Sequence, residues 1–564
     1  MTKKQTTVIT FLSVAAIILA LMLSGRFWFR IDLTKNRAYT ISAVSRNLHL
    51  EIPEPVNVTF YISDKLKTIT AIPGEIEDTL REYTAYSRGK IRLTVRDPVK
   101  AGVASMIEEL GLQPRQIQNI EQDQASFSTV YSGITIEYLN KMEILPWVIS
   151  TETLEYDLTS RIRNLVNDTE RLLGVLVGDS FREWNTDFSY LNAILTGAGY
   201  RIRQFYPGEE IPDNLPALFV LGGAEELDEW ALYRIDRYIQ MGGRVLFAVK
   251  GIYVDTYYGS IEARNQYDLG LINMISYYGI AILPELALDH SSNIIQYQSM
   301  TSSGGVQYRM SRYPLWISVH PSNGNARHPV SAGFTGLDLY WASPLELYYL
   351  PDLETSVLFT SSEEAWSMRN YLYTNPDSYL LEIEAADTKG TKILGASLSG
   401  YVPGFYAGYQ KPVREGSDEE LPDMPLNASP SRIVVIGDVD FATNMISSTQ
   451  DIQYGEYYNL DFILRIADWL SNDDDIIGIR NRQPQAGRLD KIQDADKKAS
   501  AMKFAQTANI GVFPVLIIAA GLYIAFRRRA NERSAENRPA KEKEDSQAVN
   551  ASGSSEESGG HNDI

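Results

Sequence analysis

Three short motifs in this chain have the residue types to hold a ligand, and each follows an apolar run. Gly178-Asp179 follows Leu172–Val177, Gly222-Gly223 follows Leu218–Leu221, and Gly437-Asp438-Val439-Asp440 follows Arg432–Ile436. If these runs are parallel strands, all three motifs lie at the carboxyl edge of one sheet, where open α/β sheets bind ligands. The small residues Gly178, Gly222 and Gly223 would leave a crevice there. Asp179, Asp438 and Asp440 would favour hydroxyl-rich or cationic groups, or a hard cation such as Ca²⁺. The plainer reading makes them turn residues that satisfy backbone geometry.

Other chemistry finds less support. Ser180 completes a Gly-Asp-Ser block that would suit a serine hydrolase, but such an enzyme also needs Asp-x-x-His, and none of the five histidines has Asp three residues before it. The chain has no cysteine, which removes thiolate nucleophiles, thiolate metal sites and disulfides. His320 and His328, each followed by proline, have no third ligand at a zinc spacing and read as turn residues. The phosphate-binding pattern G-x-x-x-x-G-K-[ST] is absent, since Gly89-Lys90-Ile91 lacks the first glycine and the hydroxyl, so ATP hydrolysis would have to come from another chain. No catalytic residue, cofactor or metal is assigned.

The elements that must position these motifs follow from periodicity. Residues 31–150 read as a first α/β domain: strand Val56–Ile62, helix Glu75–Tyr86 with Ile76, Leu80 and Tyr83 on one face, strand Lys90–Asp97, and a hairpin of Val130–Tyr138 and Met142–Trp147. Residues 151–480 read as a second. A helix at Leu154–Val166 leads into buried strands alternating with helices Phe188–Ala198, Glu226–Gln240 and Asn459–Leu470, the pattern of a doubly wound parallel sheet. Within it, residues 252–335 lose the rhythm and read as an irregular insertion rich in Tyr, Ser, Asn and Gln.

Residues 6–25 and 505–526 are uncharged and long enough to span a bilayer as helices. Lys3 and Lys4 precede the first, and Arg527, Arg528 and Arg529 follow the second. The positive-inside rule therefore puts residues 1–5 and the polar tail 527–564 in the cytoplasm and the bulk of the chain outside the inner membrane, with 481–504 as a membrane-proximal stalk. A formal charge of −19 argues against nucleic acid as a partner.

Several segments, taken in order, resemble the GldG-like auxiliary components of ABC-type transport systems, a group associated with gliding motility. They are Arg30-x-Asp32-Leu33-Thr34 with Tyr39 and Ser42, Val56–Tyr61, Tyr83–Pro98, Leu154-Glu155-Tyr156-x-Leu158-Thr159-Ser160, Leu215–Val249 with Gly242-Gly243, His328-Pro329-Val330, Val434 to Phe441, Asn459-Leu460-Asp461-Phe462, and the C-terminal apolar segment. The resemblance implies two extracytoplasmic α/β domains, the first thioredoxin-like without redox cysteines and the second flavodoxin- or amidotransferase-like. It also implies a protein acting beside a separate ABC permease and ATPase, and the expectation is a non-enzymatic subunit that binds an envelope or glycan ligand. The alternatives are a membrane-anchored envelope hydrolase or glycan-processing enzyme, and a structural envelope module for motility or secretion.

Overall fold

The computed structural model describes residues 40–471 apart from 122–123, 152, 168–170, 256–260, 301–303, 377–378, 415–419, 451 and 453–457, together with residues 479, 519, 521 and 523. The chain divides into two compact units, Met1–Gln485 and Ala486–Ile564. In the second, Ala519, Gly521 and Tyr523 are helical. The N-terminal segment 1–5, the apolar segment 6–25, the stalk 481–504, all but three residues of 505–526 and the tail 527–564 lie outside the described residues. Among the described residues, no helix is long and apolar enough to cross a membrane.

Among the described residues of the first unit, the two largest sheets each have their own core. The smaller has four strands, β1 (Val56–Ile62), β2 (Ile91–Arg96), β3 (Ser132–Tyr138) and β4 (Lys141–Leu145), in the order β2-β1-β3-β4. β1 and β2 are parallel, and β3 pairs antiparallel with both β1 and β4. Helix α1 (Ile72–Tyr86) makes the crossover from β1 to β2 and buries Ile76, Leu80 and Tyr83, as their spacing requires. It begins before Glu75 because Pro73 fits a helix's first turn. Helix α2 (Leu154–Asn167) buries Leu154, Leu158, Ile162 and Leu165 in this same core, although the pattern of the chain had grouped it with the segment that follows. A separate hairpin, Arg115–Glu121 with Gln124–Val130, precedes β3 and takes Val130 away from it.

The larger sheet is built along the chain from β5 (Arg171–Val177), α3 (Ser189–Gly197), β6 (Tyr200–Phe205), β7 (Leu218–Leu221), α4 (Glu229–Gln240), β8 (Val245–Ala248), α5 (Gly270–Tyr277) and β9 (Ile280–Ile282). There follow β10 (Ser292–Met300), β11 (Val306–Val319), β12 (Leu337–Tyr340), β13 (Leu345–Leu347), β14 (Leu353–Thr360), β15 (Ile393–Gly400), β16 (Ser431–Ile436) and α6 (Tyr458–Leu470). The order across the sheet is β9-β13-β15-β16-β8-β7-β5-β6, with β14 also on β15. β16, β8, β7, β5 and β6 are mutually parallel. The remaining pairings are antiparallel, so the sheet is mixed where a parallel one was expected. β15 follows its own antiparallel neighbour β14, and needs no crossover helix to reach its place.

Both faces of the parallel part are covered. In β7, Phe219 and Leu221 join α3 and α6 in one core, whereas Leu218 and Val220 join α4 and α5 in the other. That two-sided burial, at about 1.5–3 kcal/mol for each large side chain, is why the strand reads as unbroken apolar sequence.

Residues 252–335 are regular where irregular structure was expected. They hold the hairpin Ile252–Asp255/Glu262–Asn265, helix α5, strand β9, and the long strands β10 and β11, which form a three-stranded sheet with β12. Their polar composition reflects ribbons with an outward face, which alternate apolar with Gln, Ser and Arg instead of running apolar throughout.

Candidate functional site at the strand ends

β16, β8, β7 and β5 are consecutive in the sheet and parallel, so the segments that follow them share one edge. This brings Gly178 and Asp179, Gly222 and Gly223, Lys250, and Asp438 and Asp440 together. Numbered in chain order, the five parallel strands run 2-1-3-4-5 across the sheet, which places the reversal of winding between β5 and β7. A crevice is expected at that point. Instead the loops close on each other: a Cβ added to Gly178 would stand 2.5 Å from the Cα of Gly223. Asp179 Oδ1 accepts the Gly223 N–H at 2.6 Å. Gly222 adopts φ +74°, and a Cβ there would lie 2.1 Å from Asp179 Oδ2. Gly178, Gly222 and Gly223 thus permit close approach of two loops, and the space left at this edge is the small cleft that Asp179 and Gly222 help to line.

The carboxylates are also engaged. Asp438 is fully buried and accepts the backbone N–H groups of Tyr340 at 2.8 Å and Asp440 at 2.7 Å. Lys250 reaches both acids, at 3.3 Å from Asp438 Oδ1 and in a short contact with Asp440 Oδ2. Its ammonium also lies 5.2 Å from the centre of the Trp341 ring. Arg182 closes the other side, with Nη2 2.7 Å from Asp440 Oδ1 and Nε 3.2 Å from Asp179 Oδ2. Burial pushes the Asp438 carboxyl above the ordinary range against the pull of Lys250. Asp440 is as deeply buried, yet Arg182 and Lys250 together outweigh that burial and hold it below the ordinary range. Burial raises Asp179 as well, with Arg182 and the Gly223 N–H opposing. Three acids face two cations in a charge cluster that is already neutralised for the most part. A hard cation would have to compete with Arg182 and Lys250, and among the described residues no group of three or more His, Asp or Glu is arranged to hold a metal ion.

A cleft of ≈ 40 Å³ remains beside the cluster, lined by Asp179, Phe181, Arg182, Glu225, Lys250 and Tyr253 among others. That is room for a few water molecules. The hairpin Ile252–Asp255/Glu262–Asn265 borders it, anchored by a two-pronged ion pair from Arg264 to Glu225 at 2.7 and 2.9 Å. The Arg264 guanidinium also stacks 3.9 Å from the centre of the Tyr253 ring. Of the motif residues, Asp179, Gly222 and Val439 reach the cleft. Asp438 and Asp440 are buried.

Ser180 is exposed, and its N–H donates to Glu226 Oε2 at 2.7 Å. The described histidines make their contacts elsewhere. His320 is exposed and bonds within its own turn to Ser322. His328 packs 5.1 Å from Trp469, accepts the Val330 N–H on Nδ1 at 3.2 Å and meets Ser397 Oγ with Nε2 at 3.1 Å. The two do not form a metal pair.

Arg182 and Lys250 were not foreseen. Their signals were present: Lys250 is a lone cation two residues past an apolar strand, and Arg182 lies three residues after Asp179. A cation just beyond a buried strand, in a sheet whose neighbouring strand ends in Asp-x-Asp, predicts an ion pair across the strand ends.

Comparison with known proteins adds three findings. Residues 170–466, which span the whole larger sheet and the charge cluster, match a family described as an ABC-type uncharacterized transport system. Residues 35–137 match a domain of unknown function (DUF7088). An uncharacterized protein of Borreliella burgdorferi is 26% identical over 519 residues, covering 89% of this chain and 94% of the relative.

Proposed function

Since the chain belongs to the ABC-type uncharacterized transport system family, of which it is an auxiliary component, we propose that it is a non-enzymatic membrane subunit working with a separate permease and a separate ATPase. The family match across residues 170–466 carries this reading. The absence of a phosphate-binding loop anywhere in the sequence supports it, because a transporter must then obtain ATP hydrolysis from another chain. The strand-end cluster supports it too: its carboxylates are held by Arg182 and Lys250, an arrangement suited to bracing a body and not to proton transfer.

In this reading the uncharged segments 6–25 and 505–526 anchor the chain in the inner membrane with both termini cytoplasmic, and the body reaches outward to an envelope partner. The likeness to GldG-like components belongs to the same reading. Affinity purification of the full-length chain in mild detergent tests it. Recovery together with a multi-span permease and a P-loop ATPase is the expected result; recovery as a lone species contradicts it.

A further inference from the structure

The smaller sheet carries a surface that the strand-end site does not use. Among the described residues β2 pairs with β1 alone, so it is an edge of that sheet. Leu93 and Val95, both half-buried, pack against the core on one face. Arg92, Thr94 and Arg96 therefore lie on the other, in rows with Asn57, Thr59 and Tyr61 of β1. The Val56 N–H donates to the Lys90 carbonyl, which fixes the alternation of the parallel ladder: Arg92 and Thr94 turn their backbone groups to β1, and Ile91, Leu93 and Val95 turn theirs outward. Ser87 Oγ covers those of Ile91, accepting its N–H at 3.1 Å and lying 3.3 Å from its carbonyl oxygen. The backbone groups of Leu93 and Val95 stay on the open edge.

The charge on this edge has one sign. The chain carries 71 acidic residues, yet from Tyr83 to Arg96 it has none, while Arg88, Lys90, Arg92 and Arg96 fall there. Lys90 Nζ donates to the Pro53 carbonyl. The side chains of Arg88, Arg92 and Arg96 are exposed and have no partner among the described residues. Glu137 shares the Arg92 row but lies across Asn57, one strand further into the sheet. Charges on an edge strand ordinarily discourage pairing with another strand. Here they are all cations without counter-charges, so the strand they do not discourage is an acidic one.

We infer that β2 docks an extended, acidic segment of a partner polypeptide, added beside it as a further strand. Arg92 and Arg96 stand about 13 Å apart along the strand, so carboxylates four residues apart in the added strand would each face one arginine. Its backbone would pair the open groups of Leu93 and Val95, and apolar residues on its other face would cover their half-buried side chains. The segment thus reads acid, apolar, any residue, apolar, acid. A lipid surface fits less well, because a headgroup phosphate meets the arginines but donates nothing to the Leu93 and Val95 carbonyls. A second copy pairing antiparallel about Thr94 would set Arg92 against Arg96.

The chain's lack of cysteine makes the test clean. In the full-length chain a photo-cross-linker on Thr94→Cys is activated in native membranes before extraction, with Tyr349→Cys as a control on another exposed surface. Cross-linked peptides are then mapped, and the yield is compared on adding either Arg92→Glu with Arg96→Glu or Arg92→Lys with Arg96→Lys, each variant being checked for an unchanged urea midpoint. The inference expects adducts within a segment that bears two acids four residues apart. It expects a yield lower by about tenfold or more with the Glu pair, where like charges would meet, and within about threefold of the parent with the Lys pair. Adducts to lipid, to a second copy of this chain or to a segment without acidic residues would overturn it, as would a yield no higher than the control's or equal losses from the two pairs. The adduct map decides the matter even where a variant proves unstable. Because cross-linking precedes purification, it identifies the occupant whether or not a permease and an ATPase are recovered, so this inference and the proposed function fail independently.

Discussion

Arg182 holds Asp440 across the ends of four strands: it leaves the turn after β5, passes the ends of β7 and β8, and places Nη2 2.7 Å from a carboxylate that follows β16. Lys250 meets the same carboxylate from between them. The edge of the sheet is therefore tied by charge where its strands are free of one another.

Removing one cation should be costly, since a buried acid would lose its partner while staying dry. Lys250→Met is expected to destabilise the full-length chain by about 3–5 kcal/mol in urea denaturation. Adding Asp440→Asn to Lys250→Met should recover part of that loss, because the unpaired charge is then gone. A single-variant loss below about 1 kcal/mol would show that the cluster does not brace the edge.

Gly178→Ala should be nearly as damaging. The new methyl would meet backbone atoms of Gly223 at 2.5 and 2.8 Å, which cannot swing aside as a side chain can. We expect a loss of about 1–3 kcal/mol or more. Gly197→Ala, at a position in α3 with open space around it, should instead gain about 0.5–1 kcal/mol. Thermal melts of the two variants should move in opposite directions.

Stability should fall on mild acidification through His328. Its ring is held neutral, with its pKa lowered to about 4, by burial first and by Arg432 second. The unfolded chain takes up a proton near pH 6.5, which the folded ring refuses until about pH 4. The contribution is thus complete above about pH 6.5 and is lost as pH drops from there towards 4. The loss is at most about 3 kcal/mol, reduced by solvent screening of a ring that is only partly buried. His328→Gln should flatten that part of the profile. An unchanged slope between pH 6.5 and 4 would assign the effect to other groups.

Asp468 joins the two sheets' helices. From α6 it accepts hydrogen bonds from Tyr156 of α2 at 2.7 Å, Tyr200 at 2.8 Å and Arg171 at 2.6 Å, and it is fully buried. Asp468→Ala should cost about 3–5 kcal/mol by stranding Arg171. Tyr156→Phe removes one bond of the set and should cost about 1–2 kcal/mol. Hydrogen exchange should show the larger effect spreading to both α2 and α6; an effect confined to α6 would argue against the link.

What could be read from sequence divides along physical lines. Strands buried on both faces announced themselves: Leu218–Leu221 was located to the residue, and β5 and β16 to within one residue at either end. Helix α3 stops at Gly199, whose φ of +86° glycine adopts without strain. The hairpin of β10 and β11 was not legible, because its half-exposed residues Gln296, Tyr297, Tyr308 and Arg309 look like loop composition when only hydrophobicity is weighed. The meeting of Gly178, Gly222, Gly223, Asp179, Asp438 and Asp440 at one edge was legible from strand order. Their role was not. Glycine permits both an open crevice and a close approach, and only the partner's position distinguishes them. The carboxylates looked available because Arg182 and Lys250 become their neighbours only once β5, β8 and β16 lie side by side.

The measurement that tests the central claim most directly is reciprocal capture. A P-loop ATPase recovered with this chain is tagged instead, the complex is isolated from native membranes, and subunit ratios are read by mass spectrometry. The account predicts that the permease and this chain both return in fixed, near-integer proportion to the ATPase. Return of the permease and ATPase without this chain would contradict it.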